Sequence, residues 1–68
     1  MTIVKSEDVK SGKPVVDGTR VTVEAIVERF YSADMSISDI STSLGVSIEA
    51  VEEALRFNRK EFSRRVEA

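Results

Sequence analysis

Apolar residues along this chain change their spacing partway, and the change separates a short extended part from a longer helical one. Near the start, Thr2-Ile3-Val4-Lys5 alternates well enough for a short strand, with Ile3 as its core contact. A polar connector from Ser6 to Lys13 follows. Val15-Val16 and Arg20-Val21 then flank Asp17-Gly18, and Asp-Gly between β-formers predicts a hairpin on a type I′ turn. Pro14 cannot donate to a ladder, so the hairpin should begin at a sheet edge. From Thr22 the period becomes helical. Val23, Ile26, Val27, Phe30 and Tyr31 recur at i, i+3, i+4, i+7 and i+8, predicting an amphipathic helix that ends near Ala33, with Thr22 as its N-cap. Phe30 and Tyr31 read as core, with the tyrosine hydroxyl reaching solvent. Ile37, Ile40 and Leu44 mark a second helix, and Ile48, Val51 and Leu55 a third, with Gly45 between them. Ser36 and Ser47 stand at the N-cap positions, and Asp39 completes a short capping box. Val21 with Ile26, Met35 with Ile40, and Val46 with Val51 have the spacing of hydrophobic staples.

Neither glycine nor proline stops the third helix at Arg56. Leu55, Phe62 and Val66 extend its apolar stripe, interrupted by Arg59, and the last few residues should fray. Glu52–Arg56 and Glu61–Arg65 form favourable i,i+4 pairs on this helix. The stretch from Ile37 to Arg56 resembles the helix-turn-helix unit of DNA-binding proteins. Two helices cross closely in that unit, so a small residue belongs four positions before the glycine, and Ser41 is there. Apolar residues occupy the positions that face inward: Ile40, Leu44, Val46, Val51 and Ala54. The predicted fold is mainly α, a three-helix helix-turn-helix bundle preceded by a short N-terminal strand and a β-hairpin. One domain accounts for residues 1–68: strand and hairpin over 2–21, bundle over 22–57 and a basic helical tail over 58–68. This geometry alone does not assign a function, because helix-turn-helix units also dock proteins.

Composition narrows the chemistry. The chain has 68 residues, too few for a second core and near the size at which dimerisation supplies missing burial. A hydrophobic fraction of 41% suits a folded chain. Cysteine and histidine are absent, which removes disulfides, thiolate chemistry, zinc-finger sites and the commonest general base. No apolar run approaches a membrane span and no signal peptide is evident, so a cytoplasmic protein without membrane contact is expected. No nucleophile–base pair, metal cluster or cofactor loop is visible, so neither an enzyme nor a cofactor is expected. Lys13 after Gly12 fails as a phosphate loop, since no earlier glycine has the right spacing and Pro14 replaces the required Ser or Thr. The net charge of −2 hides a segregation. Between Phe30 and Leu55 the charged residues are Asp34, Asp39, Glu49, Glu52 and Glu53, all acidic. From Arg56 to Arg65 only Glu61 interrupts Arg56, Arg59, Lys60, Arg64 and Arg65.

Gly12-Lys13-Pro14 and Gly18-Thr19-Arg20, followed by an amphipathic helix, carry a family resemblance over about Ile3 to Phe57. With this GKP…GTR hairpin ahead of a helix-turn-helix, the chain resembles the small prokaryotic domain-of-unknown-function family 433. Members of that family resemble antitoxins of type II toxin–antitoxin pairs, often beside a PIN-like nuclease toxin. The resemblance implies a protein that binds operator DNA and neutralises a partner. The chain departs from the family at Asp34, where glycine usually follows the first helix. It departs again at Leu44-Gly45-Val46-Ser47, which replaces a longer Tyr-Pro-containing link.

In a helix-turn-helix the exposed residues at the start of the second helix meet base edges. Candidates for DNA are therefore Ser47, Ala50 and Arg56, then Arg59 and Lys60 further on, with Arg20 on the hairpin as a phosphate contact or a surface charge. Glu49, Glu52 and Glu53 oppose that use, since each would approach phosphates already rich in negative charge. Their simpler reading is structural: acids in the first turns suit the helix dipole. Arg59, Phe62, Arg64 and Arg65 are candidates for a protein partner, against the plainer reading of a solvated helix face. The first functional expectation is an antitoxin-like autoregulator of transcription that binds a nuclease toxin and double-stranded operator DNA as a homodimer. Its seam is expected at the edge strands near Ile3 and Val15. The alternative is a helix-turn-helix-shaped protein-interaction module that never touches DNA.

Overall fold

The computed structural model describes residues 2–5 and 12–67, with side chains as far as Phe62. The connector at 6–11 lies outside the described residues, as do the side chains of Arg64, Arg65 and Val66 and with them the expected Glu61–Arg65 pair. Strand β1 (Ile3–Val4) and strand β2 (Val15–Val16) precede helices α1 (Val23–Tyr31), α2 (Ile37–Leu44) and α3 (Ile48–Glu67). The fold is mainly α, a three-helix bundle preceded by a short N-terminal β-hairpin, as predicted, but the hairpin pairs β1 with β2; no strand forms at Arg20-Val21, where only Thr22 bridges back to Val15.

The two strands pair antiparallel, with Ile3 opposite Val16 and Val4 opposite Val15. On its other side Val15 forms a bridge to Thr22, so β2 has neighbours along both edges. That removes Val15 from any seam between subunits. Pro14 stands just before β2 and accepts from the Val23 amide through its carbonyl, 3.0 Å away, so its missing donor falls outside the ladder. The Asp-Gly turn is present but differs in type. The Thr19 amide donates to the Val16 carbonyl at 3.0 Å, closing a four-residue turn. Only Gly18 has positive φ (78°), whereas Asp17 does not. This is the φ signature of a type II turn rather than type I′. The Thr19 hydroxyl accounts for the change: it donates to the Val16 carbonyl at 2.8 Å and accepts from the Val21 amide at 3.0 Å, holding a wider loop closed.

Each helix begins as its sequence indicates. The hydroxyls of Thr22, Ser36 and Ser47 accept from the amides of Ala25, Asp39 and Ala50 at 3.0, 3.1 and 3.0 Å. All six staple residues belong to the core or pack against it. The core itself comprises Ile3, Val16, Val23, Ile26, Ile40, Val46, Ala50, Val51 and Ala54, with Ile26, Ile40 and Val51 wholly buried. α3 is its backbone: α1, α2 and β1 all pack on it. Two apolar expectations change. Tyr31 is 64% exposed and meets Phe30 edge to face, with ring centroids 5.0 Å apart. It is the last residue of α1 and has passed beyond the surface that α3 covers. Ile48, the first residue of α3, is 49% exposed, because the inward positions of that turn are taken by Val46, Ala50 and Val51.

After α1 the chain turns at Asp34, which holds φ 59°. The left-handed region disfavours a Cβ, and aspartate tolerates it better than most residues. This is the position at which the family resemblance leads one to expect glycine, so the aspartate fills the same backbone role under mild strain. Asp34→Gly is expected to raise stability by up to about 1 kcal/mol, relief of strain outweighing the added freedom of the unfolded chain. Urea denaturation would read this as a higher midpoint at unchanged slope.

Candidate nucleic-acid and partner interface

The interface candidate is built from the α2–α3 corner and the outward face of α3. Gly45 ends α2 in the left-handed conformation, φ 70°, where a side chain would be strained. Ser41 closes the corner with both of its oxygens. Its carbonyl accepts from the Gly45 and Val46 amides at 3.0 and 3.2 Å, and its hydroxyl donates to the Val46 carbonyl at 2.5 Å. The longer-range of the two amide bonds is the one that defines a Schellman cap. A small residue is needed at Ser41 for close helix crossing, and here its hydroxyl also satisfies a carbonyl of the turn. Ile40, Val46, Val51 and Ala54 are buried and Leu44 packs beside them, so all five inward positions of the motif are filled as expected.

The outward face of α3 changes character along its length. Ser47, Ile48, Glu49 and Glu52 are exposed at its start, and Arg56, Arg59, Lys60 and Phe62 are exposed further along. Among the DNA candidates, Ser47 is at the surface, but its hydroxyl already serves as the helix cap. Ala50 is 3% exposed and packs in the core, so it offers no surface to a ligand. Its position two residues after the helix start turns it inward beside Val51. Arg56 forms an ion pair and hydrogen bond with Glu53 rather than with Glu52. That leaves Glu52 exposed without an ion pair among the described residues. The i−3 spacing of Glu53 from Arg56 was available in the sequence, but both spacings are compatible with a helix and only the rotamers choose between them.

Arg20 is exposed on the loop after the turn, apart from α3 in sequence. Lys13, on the other side of the hairpin, pairs with Glu24 of α1 at 3.5 Å, both side chains being largely exposed. Such a pair contributes little to stability. Arg59 and Lys60 are exposed, and Phe62 is 65% exposed beside them. A shallow groove between β1 and α3 runs along Thr2, Ile3, Glu53, Arg56, Phe57 and Lys60, placing two of the DNA candidates on one rim. Among the described residues no group of acidic side chains is arranged to hold a metal ion, and no helix is long and apolar enough to cross a membrane.

The site can therefore do two things chemically. Arg56, Arg59 and Lys60 can neutralise phosphates or carboxylates along a continuous helix, and Phe62 with Ile48 can lose exposed apolar surface to another protein. Comparison with known proteins gives one match. The model of the family described as protein of unknown function (DUF433) matches residues 3–58. No curated protein and no solved structure matches. Arg59, Lys60 and Phe62 thus lie just past the matched segment.

Proposed function

The chain belongs to the DUF433 family, and from this and the form of α3 we propose that it is an antitoxin-like regulator. Its helix-turn-helix bundle serves as the platform, and the basic half of α3 does the binding. The observation that carries this reading is the continuation of α3 through Arg59, Lys60 and an exposed Phe62. A partner seated on this face would cover an apolar ring that is left 65% in solvent beside cations, which supports the partner-binding reading. The partner implied by the family resemblance is a PIN-like nuclease, whose active site would present carboxylates to Arg59 and its neighbours. Docking the helix there would deny that site to RNA. Operator DNA is the second ligand, gripped through phosphates by Arg56, Arg59 and Lys60, with Arg20 as a separate contact.

The exposed Glu49 and Glu52 favour a second reading. A helix start that presents carboxylates and a capped serine is a poor reader of bases, and with Ala50 buried it has few other groups to offer. On this reading the module binds protein alone. A gel-shift titration of the full chain on its own promoter, with scrambled DNA as control, separates the two. Autonomous repression predicts preferential binding that survives physiological salt. No shift at low or at physiological salt, by a folded chain, would sink the DNA half of the proposal and leave the interaction module.

A further inference from the structure

Ile48, Leu55 and Phe62 are spaced by seven residues along α3, so they form one stripe that drifts by only about 20° per repeat. Over about 21 Å of helix this stripe places two exposed apolar side chains, Ile48 and Phe62, on either side of a half-buried Leu55. It runs beside the buried face of Val51 rather than along the basic face of Arg56 and Lys60. Glu52 and Arg59 flank it, four residues after Ile48 and Leu55 respectively. Both are exposed, and neither forms an ion pair among the described residues.

We propose that this face binds a second copy of the same chain, α3 against α3, in antiparallel orientation about a twofold axis at Leu55. The arrangement is self-complementary. With Leu55 on the axis, Ile48 meets the second copy's Phe62 at one end and the reverse contact forms at the other. Glu52 then faces the second copy's Arg59, and the same pair repeats across the axis, as flanking positions do in helix pairs of this kind. Charge favours this orientation: a parallel pairing would put the two copies' Glu52 and Arg59 on opposite sides of the seam, where they could not pair with one another. Val15 of β2 is paired on both sides and offers no free edge for association. The inference stands apart from the reading above, because it concerns the protein alone and needs neither DNA nor nuclease. It places the seam on α3 rather than at the strands, and it implies that a partner seated on Phe62 displaces the second copy.

Sedimentation equilibrium of the full chain is expected to show a monomer–dimer equilibrium. Phe62→Glu and Glu52→Arg should each weaken association by at least about tenfold. Combining Glu52→Arg with Arg59→Glu should restore it, an outcome that loss of folding cannot mimic. Orientation is read by cysteine cross-linking, clean here because the chain has no cysteine of its own. Under mild oxidation, a mixture of Ile48→Cys and Phe62→Cys chains should link to one another, and Leu55→Cys should link to itself. A single monomeric mass at all concentrations would overturn the proposal. So would charge reversal without rescue, or Ile48→Cys chains linking only to their own kind.

Discussion

Ile40→Ala is expected to leave a large share of the protein unfolded at room temperature. Ile40 is wholly buried in α2, where that helix meets α3, and it also forms a staple with Met35 at the helix entrance. Removing a buried isoleucine side chain to Cβ costs about 2–5 kcal/mol, the range reflecting how far neighbours can collapse into the space. Collapse is restricted here. The hydrogen bonds of Ser41 and Gly45 hold the next turn, and Val51 and Ala54 on α3 are themselves wholly buried in the same core. A domain of this length has a total stability of only about 3–10 kcal/mol. The substitution therefore consumes much of the reserve. Circular dichroism at 222 nm with a urea titration checks it; a midpoint close to that of the parent chain would mean that the α2–α3 contact is not the keystone of the bundle.

Replacing Arg56, Arg59 and Lys60 together with alanine is expected to weaken DNA binding roughly a hundredfold at physiological salt, with similar losses on specific and scrambled sequences. Each phosphate contact contributes about 0.9 to the slope of log K against log salt, so that slope should fall by about 2.7. The three side chains are exposed and contribute nothing to the buried core, so folding should survive their loss. Arg56 has the smallest expected share, since Glu53 already neutralises part of its charge. An unchanged salt slope would place the DNA contacts, if any, away from α3.

The elements and their caps were legible because they rest on short-range rules. Thr22, Ser36 and Ser47 cap the helices they precede, and Gly45 takes the left-handed turn, all from local steric and hydrogen-bonding preferences. What sequence could not settle were choices between two local options that tertiary packing decides. Asp17-Gly18 suits more than one turn, and the Thr19 hydroxyl selects among them. Arg56 has glutamates three and four residues before it, and the rotamer selects Glu53. Ala50 reads equally well as a small surface residue or a core one, and only packing in the bundle core buries it. Periodicity likewise counted Ile48 and Tyr31 as core, although each stands at a helix end where the covering surface has run out. Asp34 shows the opposite case: the departure from the family pattern was visible, and its left-handed backbone gives that departure a physical meaning.

The central claim is that α3 beyond the bundle is the binding surface. It is tested most directly by calorimetric titration of a PIN-like nuclease, the partner class proposed above, with two proteins: the full chain and one ending at Asn58. The bundle contacts through Phe57 are retained in the shorter chain, and its folding is checked by circular dichroism first. The account predicts tight binding and loss of nuclease activity with the full chain, and neither with the shorter one. Equal binding by both would contradict it and move the interface to the bundle itself.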